Sequence, residues 1–316
     1  MQAAVIEVLG QPPRYRAFPD PIASADEVLV QVHAAGLHPI VKARASGAHY
    51  SSGGETPAVA GIDGVGTLPD GKRVYFALVR TPWGTMAERA AAPRAICLPI
   101  PANLDDVHAA AIANPGMSAW LSLKDRAGLV AGETVLIMGA TGVAGHLAIQ
   151  AARHLGAKRI IASGRNVDAL AGMDVEAIIA LGQTEDALRE ALDAEAALGI
   201  DVVIDYLWGR PTELVLDALA AGYSAKATRR ARLVEVGESA GKTITLAGAI
   251  LRSIDLHLLG SGFGAAPMDR VLAAVSEVFS LAASGKLAIA VEPVPLSEVE
   301  TAWNRAEKGR RIVFTV

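Results

Sequence analysis

Three glycines spaced G-x-x-G-x-x-G, Gly139, Gly142 and Gly145, follow a short apolar run at 135–138. They precede a stretch in which Leu147, Ala148, Ala151, Ala152 and Leu155 share one helical face. Small residues at such a turn let the backbone approach a pyrophosphate. The helix start adds N–H groups without intrahelical partners and the positive end of the dipole. Thr141, Gly142, Val143 and Ala144 are therefore the candidate pyrophosphate contacts. Glycines between a strand and a helix can also serve packing alone, and the spacing departs from the G-x-G-x-x-G fingerprint of dinucleotide sites. The flanks support binding: Gly156 stops the helix, and residues 159–162 supply a second buried strand.

The end of that second strand bears on which dinucleotide would bind. An NAD site carries Asp or Glu about 20 residues after the glycines, bonded to the adenosine ribose. Here the place holds Ser163, Gly164, Arg165 and Asn166. No carboxylate repels a 2′-phosphate, and the Arg165 guanidinium offers it a planar fork of donors. The pattern reads as a preference for NADPH over NADH. The plain alternative is a solvated loop arginine.

These residues need a scaffold, and 316 residues suggest two domains. The chain is 52% hydrophobic, enough for a large core, and its formal net charge of −4 gives no electrostatic case for nucleic acid or an anionic membrane. Its single cysteine, Cys97, excludes an internal disulfide and any multi-cysteine zinc site. Lying before Leu98 and Pro99, Cys97 reads as a buried structural thiol. The opening residues lack a basic segment followed by a long apolar run, and no uninterrupted apolar run reaches about 18 residues. A soluble cytoplasmic protein is expected. Lys226, Arg229, Arg230 and Arg232 read as a solvated basic loop.

Residues 3–9, 27–34, 72–78 and 85–91 read as strands, punctuated by glycines and prolines, in the manner of a compact all-β domain. Residues 105–113 are alanine-rich and helical; Asn114-Pro115 is expected to break that helix, with a restart at Met117. From Glu133 a βαβ alternation runs to Gly264, with later strands at 177–181, 201–206, 232–236 and 255–259 and helices at 184–197 and 212–220. This is a doubly wound α/β domain on a parallel sheet. Pro267 opens a further helix to Ser284. Ser297 and Glu300 suggest a capping box for a helix ending at Gly309, and 311–316 is a terminal strand expected to rejoin the β domain.

The chain resembles the zinc-independent, quinone oxidoreductase and enoyl reductase branch of the medium-chain dehydrogenase/reductase superfamily over nearly all its length. Residues 57–66, PAVAGIDGVG, resemble the family's P-x-x-x-G-x-D-G-x-G segment. Residues 71–74 resemble its G-D-R-V turn and 84–88 its G-x-x-A-E strand. Residues 114–120, NPGMSAW, resemble the stretch entering the cofactor domain, with Ser118 where Thr is usual. Residues 139–145 resemble the A-A-x-G-G-V-G turn, with Val143 in place of a glycine. The order and spacing of these pieces carry the likeness.

The resemblance implies a GroES-like, mostly-β catalytic domain at 1–113 completed by 265–316, and a Rossmann cofactor domain at 114–264. It implies hydride transfer from NADPH to a quinone or an α,β-unsaturated carbonyl. The zinc-dependent branch has a cysteine near 37 and a His-Glu pair near 62; Leu37, His38, Ile62 and Asp63 stand here, so no catalytic metal is expected. His108, His146, His154 and His257 read as ordinary polar or capping residues. Met117 and Ser118 should join the cofactor contacts, as should Tyr206, Leu207, Val236, Gly237, Gly262, Phe263 and Gly264 after later strands. His38 stands for the branch's usual asparagine and Val41 for its aspartate; Tyr50 lies near its usual tyrosine. Tyr50 and His38, with His49 behind them, are candidate proton donors or plain polar lining. An NADPH-binding sensor with little turnover and a pathway-specific enoyl reductase stay open. Pairing of 255–260 as an edge strand across a two-fold axis implies a homodimer.

Overall fold

The computed structural model describes all residues except 50, 51, 53, 54, 223–229, 263, 307 and 308. In chain order the elements are β1 (Gln2–Ile6), β2 (Arg14–Ala17), β3 (Glu27–Gly36), α1 (Pro39–Ala45), β4 (Ala58–Val59), β5 (Asp63–Thr67), β6 (Arg73–Ala77), β7 (Arg89–Pro93), β8 (Leu98–Pro99) and α2 (Asp106–Trp120). There follow β9 (Thr134–Met138), α3 (Val143–His154), β10 (Arg159–Gly164), α4 (Val167–Ala171), β11 (Ala177–Ala180), α5 (Glu185–Leu198), β12 (Val202–Asp205), α6 (Arg210–Ala221), β13 (Arg230–Glu235), α7 (Gly248–Ser253) and β14 (Asp255–Gly260). The last are α8 (Met268–Ala283), β15 (Val291–Pro295), α9 (Val299–Ala302) and β16 (Arg311–Thr315). The chain divides into two compact units, Met1–Pro115 with Val275–Val316, and Gly116–Ala274. Along the sequence one division falls inside α2 and the other inside α8.

The second unit is built on a six-stranded sheet of order β11-β10-β9-β12-β13-β14 in which every pairing is parallel. Its middle strands are buried on both faces: Val135, Leu136, Ile137, Ile160, Ile161, Val202, Val203 and Ile204 are all 0% exposed. That is why these segments read as unbroken apolar runs. Helices α5 and α6 pack Leu188, Leu192, Leu214 and Leu216 onto Leu136, Val203 and Leu233. The order steps one way from β9 through β10 and the other way through β12. The chain thus leaves a crevice at the carboxyl ends of β9 and β12, where ligands of such sheets bind.

The first unit carries a seven-stranded sheet, β15-β16-β3-β5-β6-β8 with β7 on β3, and a three-stranded one, β2-β1-β4. Strand β16 does rejoin this unit, antiparallel to β3 and parallel to β15. Strand β5 was not legible in the sequence because its DGVGT reads as a loop. Its glycines exist for close backbone approach: a Cβ on Gly66 would meet the Gln31 carbonyl oxygen at 2.2 Å.

Two expectations are corrected. Asn114-Pro115 does not break the helix; α2 runs through Pro115 and continues as a π-helical turn, Leu121–Arg126. A proline inside a helix costs about 3 kcal/mol. Burial of Ala109, Ala111, Ile112, Ala113, Ala119 and Leu123 on one continuous rod outweighs it. The capping box at Ser297 and Glu300 is also absent. A 3₁₀ turn at Leu296–Glu298 leads into the single turn of α9, and Glu298 occupies the cap position without a side-chain bond. Glu300 is used elsewhere, accepting from the Tyr15 backbone N–H at 3.3 Å.

Candidate functional site

In the second unit, β9 ends in Gly139, whose φ of +84° a side chain would resist. Gly139 N–H and Ala140 N–H both donate to the Ser163 carbonyl, at 3.0 and 2.8 Å, so the glycine turn and the end of β10 are tied together. Gly142 caps α3 without a side chain. A Cβ on Gly145 would sit 2.4 Å from the Gly139 carbonyl oxygen, so this third glycine serves the packing of helix on strand. At Gly142 the nearest atom to such a Cβ is 3.4 Å away. The first glycine thus makes the turn, the third the packing, and the middle one leaves the bare first turn of α3 open.

Thr141 and Ala144 are half-buried and Val143 is buried. Ser163 is 1% exposed and its hydroxyl has no hydrogen-bond partner; the Tyr206 hydroxyl is likewise buried and unpartnered. Burial pushes the Tyr206 phenol well up, so it stays a donor. Unmatched polar atoms at the carboxyl ends of β10 and β12 flank the crevice and suit an elongated polar ligand. Gly164 approaches Thr141 closely, a Cβ there meeting its side chain at 2.8 Å. Arg165 and Asn166 are exposed; Asn166 Oδ1 caps α4 by accepting from Ala169 N–H at 3.1 Å. Beyond Tyr206 and Leu207, the backbone interlocks: Val236 N–H and Gly237 N–H donate to the Asp205 carbonyl and Ala240 N–H to that of Leu207. Met117 and Ser118 lie half-buried near the end of α2, and Gly262 and Gly264 are exposed beyond β14. Phe263 lies outside the described residues.

Sequence reasoning missed the carboxylate that shapes this edge. Asp205 is 0% exposed at the end of β12. Its Oδ1 accepts from Leu207 and Trp208 N–H at 2.8 and 3.0 Å, and its Oδ2 from the Thr212 hydroxyl. It fixes the turn in which Trp208 takes a φ of +53°. Burial raises its pKa against those hydrogen bonds. Glu235, half-buried at the end of β13, is raised by burial and then by Asp205 and Glu238. Only an acidic residue closing each apolar strand could have signalled this.

In the first unit, His38 precedes α1 and is 0% exposed. Its Nε2 lies 3.3 Å from Asp63 Oδ1, in ion-pair range but without hydrogen-bond geometry, and neither ring nitrogen has a hydrogen-bond partner among the described residues. Asp63 Oδ2 accepts from the Tyr75 hydroxyl at 3.0 Å, and the Asp63 carbonyl accepts from Thr85 Oγ1 at 2.7 Å. From β16, Arg311 donates to the Leu37 carbonyl at 2.8 Å and anchors the backbone entering His38. Leu37 is fully buried in an apolar cluster against which Ile62 packs, and neither side chain has an atom that could ligate a metal. Tyr50 lies outside the described residues. Cys97 is half-buried, its thiol pushed up by burial.

No family model matches the chain. It is similar to a probable NADPH-dependent quinone reductase of Emericella nidulans, 26% identical over 99% of both chains. A spectinabilin polyketide synthase system protein of Streptomyces orinoci is 32% identical over 85% of this chain, a match occupying 12% of that longer protein. The quinone oxidoreductase of Thermus thermophilus, solved also in complex with NADPH, superposes with a TM-score of 0.77 at 28% identity, covering 100% of each chain. By the order of its parallel sheet, its mostly-β first unit and these likenesses, the chain belongs to the medium-chain dehydrogenase/reductase superfamily, among its quinone oxidoreductase-like members.

Proposed function

We propose that the protein is an NADPH-dependent reductase that passes hydride to a quinone or to the β carbon of an α,β-unsaturated carbonyl, without zinc. The observation that carries this reading is the carboxyl edge of the parallel sheet. The open first turn of α3 there stands beside a second strand that ends in Ser163, Gly164, Arg165 and Asn166 rather than in a carboxylate. The names of the Emericella and Thermus relatives support the same cofactor and chemistry. NADPH, when bound, supplies the hydride. The protein's own part is to bind and orient. Thr141, Gly142, Val143 and Ala144, at the open start of α3, would hold the pyrophosphate, and the Ser163 hydroxyl would find its missing partner at the adenosine end. Arg165, exposed and without a side-chain partner among the described residues, pairs with the 2′-phosphate. Met117, Ser118, Tyr206, Leu207, Val236, Gly237, Gly262 and Gly264 would line the remainder of the edge; Phe263, expected with them, lies outside the described residues.

On the substrate side His38 and Tyr50 are the proposed proton donors. His38 would hold its proton against the Asp63 carboxylate, with Asp63 as a positioning residue. Zinc has no place in this scheme because Leu37 and Ile62 stand where the zinc-dependent branch would ligate it. The complete burial of His38 favours a second reading, an NADPH sensor with little turnover. The polyketide synthase likeness favours a pathway-specific enoyl reductase. The assembly we propose is a cytoplasmic homodimer through β14, which pairs with β13 on one side only among the described residues. A sedimentation mass of one chain at micromolar concentration would refute the dimer.

The test is calorimetric titration of the wild type and Arg165→Ala with NADPH and NADH, followed by a quinone and enone screen. Loss of the arginine should weaken NADPH by about tenfold or more and leave NADH nearly unchanged. Failure of both nucleotides to bind the wild type would reduce the glycine turn to a packing device and end the reductase reading. NADPH binding without substrate-dependent oxidation would favour the sensor.

A further inference from the structure

The π-helical turn that extends α2 is a costly interruption of regular helix, and such turns persist where the altered geometry is used. Here it closes with an i→i+5 bond, Ala127 N–H to the Ser122 carbonyl at 2.9 Å. The carbonyls left free at its end are taken by Arg232 of β13, whose Nη1 donates to Ala127 O at 2.9 Å and to Gly128 O at 3.3 Å. The turn is therefore pinned to the parallel sheet. Arg126, at the far end of the turn, has no carboxylate partner among the described residues and spends its guanidinium on two carbonyls. Its Nε donates to Gly260 O at 2.8 Å and its Nη1 to Ala265 O at 3.2 Å. Those carbonyls bracket residues 261–264. Ser122, 0% exposed, shares a bond with the Ser261 hydroxyl at 2.9 Å and reaches the Ser118 carbonyl at 2.7 Å. A hydroxyl has one proton, so Ser122 donates to Ser118 and accepts from Ser261. One side chain thus joins the Ser118 segment to the loop after β14.

We propose that Arg126 and Ser122 are positioning residues that hold Ser261, Gly262, Gly264 and Ala265 at the nicotinamide end of the dinucleotide site. This rests on the NADPH reading above. The bracketed loop contains Gly262 and Gly264, the latter at a φ of +89° with open space around it. Such a backbone has much conformational freedom to lose on ordering. A charged fork fixed on both of its ends removes that freedom before the ligand arrives, so less of the binding energy goes into ordering the loop.

The test compares NADPH with adenosine 2′,5′-bisphosphate, which carries the adenosine half alone, on the wild type, Arg126→Lys, Arg126→Ala and Ser122→Ala. The expected result for Arg126→Ala is NADPH binding weaker by about tenfold with bisphosphate binding unchanged, Ser122→Ala showing about threefold. Lysine, a point charge that cannot span two carbonyls, should rescue little. With deuterated NADPH, the wild type should transfer from one face and Arg126→Ala from both. Equal loss of both ligands would assign Arg126 a merely structural role and overturn the proposal, as would wild-type NADPH affinity in Arg126→Ala. A wild type that binds the bisphosphate but not NADPH would also overturn it. A wild type that binds neither ligand would instead overturn the reductase reading.

Discussion

Asp63 opens β5 in the first unit and Asp205 closes β12 in the second, and both carboxylates are removed from water, at 2% and 0% exposure. Asp205 is matched on both oxygens by two backbone N–H groups and a hydroxyl, all from the seven residues that follow it. Asp63 is matched on one oxygen only, by Tyr75, and its other oxygen faces an equally unmatched histidine. A buried carboxylate with both oxygens engaged locally is a fastener for its own turn. One left incomplete beside His38 keeps a polar pair in reserve, an unmatched buried pair of the kind that calls for a role beyond fastening.

The contrast can be broken by substitution. Asp205→Ala should have the largest effect, about 3 kcal/mol of stability lost in urea unfolding, since one buried and two part-buried donors lose their acceptor. A loss below about 0.5 kcal/mol would contradict the fastener assignment. Asp63→Asn should come next, in rate rather than stability. Turnover of a quinone or enone should fall by about a hundredfold while the urea midpoint moves little, because Asn still accepts from Tyr75. The reverse outcome, lost stability with full turnover, would make the two aspartates alike. Tyr75→Phe should cost least, about 1 kcal/mol. Burial, with Asp63 beside it, pushes the Tyr75 phenol well above its usual range. It therefore remains a donor throughout, and this loss should be the same at pH about 5 and about 9.

What could be read from the chain divides along the same line. The second unit is a series of local units, and local periodicity states them: 159–162 became β10, 184–197 became α5 and 212–220 became α6, each within three residues. The glycine turn and 163–166 lie close along the sequence, and the sheet brings them together through the Ser163 carbonyl. The surroundings of Asp63 come instead from β3, β5 and β6 and from β16, nearly 250 residues further on. No window of sequence contains them. Pro115 misled because the rule for proline is local whereas the burial that overrides it is not. Arg126 carries no signal in its own window, because its bonds to the Gly260 and Ala265 carbonyls join stretches far apart in sequence.

Strand β16 has a consequence for biosynthesis. It lies between β15 and β3, with Ile312, Val313 and Phe314 fully buried, so the first unit lacks an interior strand until residues 311–315 have been made. All six strands of the second unit precede residue 261. On the ribosome the parallel sheet can therefore close while the first unit still waits for residues 311–315, the Ala34–Gly36 end of its β3 unpaired. The unit whose strands begin before those of the parallel sheet is completed after them, and in that interval its open edge depends most on protection from other nascent chains.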